Sequence, residues 1–266
     1  MNNSATHPEQ VRGESLLYRW DDLVLSFSPL GKQLNAHYHG AAELIVGYRG
    51  VVRCNLHPST SISGRSILIP AGTTHKNEYE DQLSVTMYFD SDSQFFRHLS
   101  NEMLSNAGVF FPLKNEAECQ EEVRWIYQNE PTLDVCRERL NKTFIRKHRS
   151  TDHNIDSRIQ IVLDELRKDP ANKQPVNWFS EKIGLSEDRL HHLFTEVMGL
   201  PIHRYRIWLR LKRATQCYFS GFDLTYAAHE AGFSDAAHFS RTFKNMYGAS
   251  PKAILSFRKH GRYHFS

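Results

Sequence analysis

Two histidines one residue apart, His37 and His39, are the first residues in this 266-residue chain whose types and spacing suggest chemistry. Alternate residues of an extended strand point to one side, so both imidazoles can face the same interior. Glu43 and His75 add a carboxylate and a third imidazole within forty residues. Nitrogen and oxygen donors of these kinds suit a divalent transition metal such as zinc, nickel, iron, copper or manganese. A second chemistry-bearing set lies in the other half. Leu190, Leu193, Phe194 and Val197 fall at helical spacing, as do Phe239, Phe243 and Met246. The opposite faces then present Asp188, His191, His192 and Thr195 on one helix, and Ala236, Ala237, His238 and Arg241 on the other.

The segments around the histidines read as strands. Leu16 to Tyr18, Leu23 to Phe27, Leu44 to Tyr48, Val51 to Leu56, Ile67 to Ile69 and Leu83 to Phe89 are short apolar or alternating runs separated by turn residues. Such spacing predicts a small barrel or sandwich over residues 1–93. From Gln94 the period becomes helical, and residues 94–147 are expected to form a helical extension. Val123, Ile126, Tyr127, Leu133, Leu140, Phe144 and Ile145 supply it with an apolar face, suited to dimerisation or to covering the barrel. Residues 148–155 are polar and read as a linker, and residues 156–260 read as helices with short breaks. The expected class is α+β in two domains.

The helical half contains an internal repeat. Val176, Gly184 and Ser186 recur 48 residues later as Leu224, Gly232 and Ser234, while Leu190, Phe194 and Gly199 recur 49 later as Phe239, Phe243 and Gly248. Each unit is a short helix, a glycine turn and a Ser or Asp N-cap opening a second helix, which is a helix-turn-helix pattern. Pro201 can start a long helix between them, running to about Phe219, in which Arg204, Arg206, Arg210, Lys212 and Arg213 are basic. Charge agrees with a role on nucleic acid: residues 1–150 carry net −2 and the remainder net +5.

These residues resemble the DNA-binding domain of AraC/XylS-type transcription regulators over roughly residues 156–258. Ala227-Ala228, Gly232-Phe233, the run His238 to Lys244, Gly248-Ala249-Ser250-Pro251, and Tyr205 with Arg210-Leu211 and Ala214 carry the likeness. It implies base reading from Asp188, Arg189, His191 and His192, and from Asp235, Ala236, Ala237, His238 and Arg241; the basic run of the connecting helix suggests phosphate contacts for Arg204 and Arg206. Ala236 and Ala237 offer a base only apolar contact.

The first half is similar to the cupins, small double-stranded β-helix barrels. Gly31, His37, His39, Glu43 and Gly50 match the first cupin motif; Gly64, Pro70, Gly72 and His75 match most of the second, with Tyr79 where an Asn is usual. This likeness implies a three-histidine, one-carboxylate metal site of His37, His39, Glu43 and His75. Together the resemblances imply a non-enzymatic regulator that binds double-stranded DNA and is controlled by a small effector or metal in the barrel, with a homodimer expected. The competing reading is a metal-dependent cupin enzyme, a dioxygenase or isomerase, with a DNA-binding tail. Polar Met1 to Gln10 lacks the apolar core of a secretory signal. With no long apolar stretch and four scattered cysteines, Cys54, Cys119, Cys136 and Cys217, a cytoplasmic, membrane-free location is expected.

Overall fold

The computed structural model describes residues 14–29, 34–56, 59–79, 83–102, 105–106, 109–110, 112–145, 155–255 and 261–265. The first half is built on β1 (Leu16–Arg19), β2 (Leu23–Pro29), β3 (Ala42–Gly47), β4 (Val52–Leu56), β5 (Thr60–Gly64), β6 (Ser66–Ile69), β7 (His75–Tyr79) and β8 (Leu83–Phe89). Then follow α1 (Gln94–Glu102), the two-residue strands β9 (Ser105–Asn106) and β10 (Val109–Phe110), α2 (Glu116–Asn129) and α3 (Leu133–Phe144). The second half comprises α4 (Ser157–Lys168), α5 (Val176–Lys182), α6 (Glu187–Met198), α7 (Ile202–Phe219), α8 (Leu224–Glu230), α9 (Ala236–Tyr247), α10 (Pro251–Ile254) and β11 (Arg262–Phe265).

Two sheets face each other. The larger has the order β11-β1-β2-β8-β3-β6-β10-β9, and the smaller β5-β4-β7. Strand β3 is buried along its whole length because both its faces are covered, and so apart from Glu43 it reads as an apolar run. Its alternation still sorts the residues. Leu44 and Val46 join the core under α2 and α3, whereas Ile45 packs between the sheets with Val52, Cys54, Ile62 and Ile67. Glu43 shares the parity of Ile45, which directs its carboxylate inward.

Three expectations change here. The sheet does not end at residue 93, since β9 and β10 lie inside the segment read as purely helical. The C-terminal residues 262–265 return to the strand-rich half and pair in parallel with β1, with Leu16 opposite Arg262. Finally, Val123, Ile126, Tyr127, Leu140 and Phe144 are buried against the larger sheet, with Leu133 and Ile145 packed beside them. That face covers the barrel and is not available to a partner. The polar segment 147–154 and the motif's Gly31 lie outside the described residues.

The second half follows the repeat. Ser186 and Asp235 cap α6 and α9 through their side chains, accepting from the amides of Arg189 and His238. Both helices end in left-handed glycines, Gly199 (φ 76°) and Gly248 (φ 73°), where a side chain would strain the turn. Helix α7 joins the units, and its Tyr205, Trp208, Leu209 and Leu211 form the spine of their shared core.

Candidate metal centre and nucleic-acid interface

The three imidazoles and the carboxylate converge. His37 lies just before β3, its backbone bridged to His75 of β7 by His37 N–H to His75 O (3.0 Å) and His75 N–H to His37 O (2.8 Å). That pairing puts the two residues side by side in space. His37 Nε2 is 3.1 Å from His39 Nε2; Glu43 Oε2 is 3.0 Å from His75 Nε2 and 3.7 Å from His39 Nε2. All four side chains are buried. One donor atom from each histidine fits within 4.8 Å of the others.

The surroundings prepare these groups as ligands. His37 Nδ1–H donates to the Asn35 carbonyl at 2.7 Å, and His75 Nδ1–H to the Thr73 carbonyl at 2.8 Å. Each Nε2 thereby faces the centre, which is how backbone carbonyls commonly orient metal-binding imidazoles, and at His75 it donates to Glu43 Oε2. Burial, aided by neighbouring imidazoles, pushes His37 below its ordinary value and His39 well below it, so both stay neutral. At Glu43 burial acts upward, but His39, His75 and His37 outweigh it and hold the carboxyl down to about 2. At His75 burial acts downward, and the hydrogen bond and charge of Glu43 reverse it. Tyr88 Oη donates to Glu43 Oε1 at 3.0 Å, and Asn77 Nδ2 to Glu43 Oε2 at 3.4 Å. A carboxylate, three imidazoles and this outer ring of hydrogen bonds fit a borderline divalent ion. The sequence reading passed over Asn77; period two from His75 along β7 was the signal that could have found it.

The cluster lies against the helical half. A Cβ at position 248 would sit 2.8 Å from His37 Nδ1 and 2.7 Å from the Asn35 carbonyl oxygen, and the Asn35 amide donates to the Gly248 carbonyl at 3.1 Å. On the other repeat unit, a Cβ at position 199 would meet the Ala71 carbonyl oxygen at 3.1 Å. The C-terminal glycine of each second helix therefore rests on a loop that carries or adjoins a histidine of the cluster. The rings of Tyr247 and Trp208 lie 5.5 Å and 6.4 Å from His39. Around them, Arg167 of α4 pairs with Asp92 (2.8 Å) and Asp90 (3.2 Å), and Lys212 of α7 pairs with Asp90 (3.4 Å).

The opposite ends of α6 and α9 are open. Asp188, Arg189 and His192 are exposed and His191 half-buried; Asp235, Ala236, Ala237 and Arg241 are exposed and His238 half-buried. Glu187 and Glu196 share the first surface, and Ser240, Lys244 and Asn245 the second. The sequence reading did not include those five; the i+4 spacing from Ala236 and Arg241 to Ser240 and Asn245 was available for two of them.

The connecting helix departs from expectation. Arg206 donates to the Gln174 carbonyl at 2.6 Å and to that of Asn172, and Arg210 donates to the Pro170 carbonyl at 3.0 Å. The Arg204 guanidinium is exposed but lies 5.0 Å from the Tyr38 ring of the strand-rich half. The turn between α4 and α5 leaves carbonyls without ladder partners, and these arginines satisfy them. Two donors of the Arg206 guanidinium are thus committed to the fold. Arg206→Met is expected to destabilise the helical half by about 1.5–3 kcal/mol in urea unfolding. The salt dependence of DNA binding should stay at the wild-type slope; a flatter slope would return Arg206 to the phosphates.

A helix-turn-helix domain family matches residues 179–256. The chain is 25% identical over 253 residues to the HTH-type transcriptional activator RhaS of Escherichia fergusonii, covering 84% of this chain and 87% of that protein. It is 26% identical over 245 residues to RhaS of Shigella sonnei, with the same coverage. Among solved structures it is similar to ToxT of Vibrio cholerae (TM-score 0.60, 15% identity, 90% of this chain and 98% of that one). It is also similar to ToxT of that organism with an unsaturated fatty acid bound (TM-score 0.59, 13% identity, 89% and 96%). At these identities the two structures speak for a shared two-domain fold.

Proposed function

We propose, for a chain that is a DNA-binding transcription regulator of the AraC/XylS type with a sensor domain ahead of its reading domain, that the contents of the barrel govern how the reading domain is held. The observation that carries this is the seating of both C-terminal glycines, Gly199 and Gly248, on the loops that carry or adjoin the histidine cluster. His37, His39, Glu43 and His75 would hold a divalent ion such as zinc, nickel, iron, copper or manganese. A bound ion supplies a positive charge and a tie between loop 35–39 and β7. Loop position then sets the position of the helices that rest on it. The N-terminal turns of α6 and α9 stay exposed in this arrangement, which is the end that enters the major groove in helix-turn-helix proteins.

The same donor set suits enzymatic chemistry in other barrels. Trp208 and Tyr247 of the reading domain cover it here, which favours sensing over turnover. No helix among the described residues is long and apolar enough to cross a membrane. We place the protein in the cytoplasm, acting on double-stranded DNA; a homodimer would form through a surface other than the α2–α3 face.

Selection of bound duplexes from a random pool by the full chain tests the reading, and a consensus site is expected. Arg241→Ala should weaken binding to that site by about 1–3 kcal/mol and relax preference at the base pairs it contacts. Recovery of no enriched sequence would overturn the assignment.

A further inference from the structure

We propose that the two reading helices divide their work, α9 supplying attraction to DNA and α6 discrimination, with Asp188 selecting cytosine. The proposal rests on the regulatory reading above and adds which base the first unit reads. The repeat matches the helices residue by residue: Asp188 stands where Ala237 does, His192 where Arg241 does and Thr195 where Lys244 does. All six are exposed, on the side opposite the buried Leu190 and Phe194 of α6 and Phe239 and Phe243 of α9. The two surfaces differ in sign. Histidines aside, α9 carries Arg241 and Lys244 and no carboxylate, whereas α6 carries Glu187, Asp188 and Glu196 against Arg189 alone. Phosphates attract the α9 surface and repel that of α6.

The start of each helix shows which acid is committed and which is not. In the second unit the acid is the N-cap: Asp235 accepts from the His238 amide at 2.7 Å and from the Ser234 hydroxyl at 3.0 Å. In the first unit Ser186 fills that role, accepting from the Arg189 amide at 3.3 Å. The Asp188 carboxylate, two residues on, makes no hydrogen bond or ion pair with any described residue. It stands in the first exposed turn, the part of a recognition helix that meets base edges. Attraction to the amino end of the helix accounts for an acid in the first turn, but not for Glu196 near the other end. A carboxylate only accepts hydrogen bonds. In the major groove guanine presents two acceptors, thymine an acceptor and a methyl, and adenine a donor beside an acceptor. Cytosine presents a donor alone, its N4 amino group, and is the base a carboxylate pairs with. Any other base leaves the charge unpaired among phosphates, so α6 penalises wrong sites more than it tightens the right one.

The test selects duplexes from a random pool with the full chain and with its Arg241→Ala, Asp188→Asn and Asp188→Ala variants. The block of the site whose preference Arg241→Ala relaxes faces α9, and the other block faces α6. Wild-type protein should enrich cytosine in the α6 block. Asparagine pairs with adenine through N6 and N7, so Asp188→Asn should move that position from cytosine to adenine. Asp188→Ala should lose at least about fivefold of the discrimination there. Both Asp188 variants should bind an unrelated duplex more tightly than the wild type at the same salt concentration. An acid serving only the helix end would alter the melting temperature and leave base preference and unrelated-duplex affinity as they are. That result overturns the proposal, as does a wild-type site whose α6 block lacks cytosine, or one with a single block. A wild-type chain that enriches no sequence at all sinks the regulatory reading beneath it.

Discussion

Gly40→Val should open the molecule between its two halves. A Cβ at this position would lie 2.2 Å from Trp208 Cβ and 2.3 Å from its Cγ, so the sensor backbone approaches the indole base too closely for any side chain. Rotation about the Trp208 side chain does not relieve the clash, because Cβ is fixed to the α7 backbone. Overpacking of this kind commonly costs about 1–3 kcal/mol where neighbours can shift. Here the available shift is separation of the domains, which also breaks the pairs of Arg167 and Lys212 with Asp90 and Asp92. The expected results are a larger radius of gyration by small-angle scattering and two thermal transitions in place of one. Helical content by circular dichroism should be unchanged. Gly64→Ala is the control, because a Cβ there meets nothing closer than 3.4 Å. A Gly40→Val protein with wild-type scattering and a single transition would mean that the domain contact adapts and does not depend on this close approach.

Metal content should be the next largest effect. Protein purified without a histidine tag from metal-replete cells should carry about one equivalent of a divalent transition metal. His37→Ala and His75→Ala should each bring that below a tenth, since either leaves an incomplete shell. Free ion at a hundred times its dissociation constant should raise stability by about 2.7 kcal/mol, a gain that the variants lack. Glu43→Gln separates ligand from scaffold: it keeps the shape and an acceptor oxygen for Tyr88, and a turn of the Asn77 amide lets its oxygen accept from the new NH2, while the charge is lost. It should therefore fold like the wild type but hold the ion poorly. Wild-type protein that neither contains metal nor takes it up on titration would reduce the cluster to a hydrogen-bonded packing element.

The sequence alone determined what depends on neighbours in the chain. Period two along β3 set Glu43 with Ile45 on the inner face, whereas His37 and His39, read as alternate strand residues, lie in the loop before β3 and meet there. Period 3.6 and the recurrence at 48 and 49 residues located both helix-turn-helix units, their caps at Ser186 and Asp235 and their closing glycines. The connecting helix was read from Pro201 to Phe219, and it spans Ile202–Phe219. Apart from the recurrence itself, each of these signals is carried by residues within a few turns of one another.

Tertiary structure decided which faces meet. The arginines of α7 form a basic run in sequence, yet two of them satisfy carbonyls of the 170–174 turn, more than thirty residues away along the chain. The apolar face of α2 and α3 was open to two uses, and it covers the sheet because β2, β3 and β8 present a matching apolar surface there. Residues 262–265 carry no period that announces a parallel partner some 246 residues earlier, and pairing requires both chain ends to reach the same edge. The four donors were legible as a set, but not the contact of His37 with Gly248 or of His39 with Tyr247 and Trp208, which places the cluster against the helical half. Local periodicity records which side of an element is apolar. What that side is buried against is settled by shape and by polar groups that only the folded chain brings together.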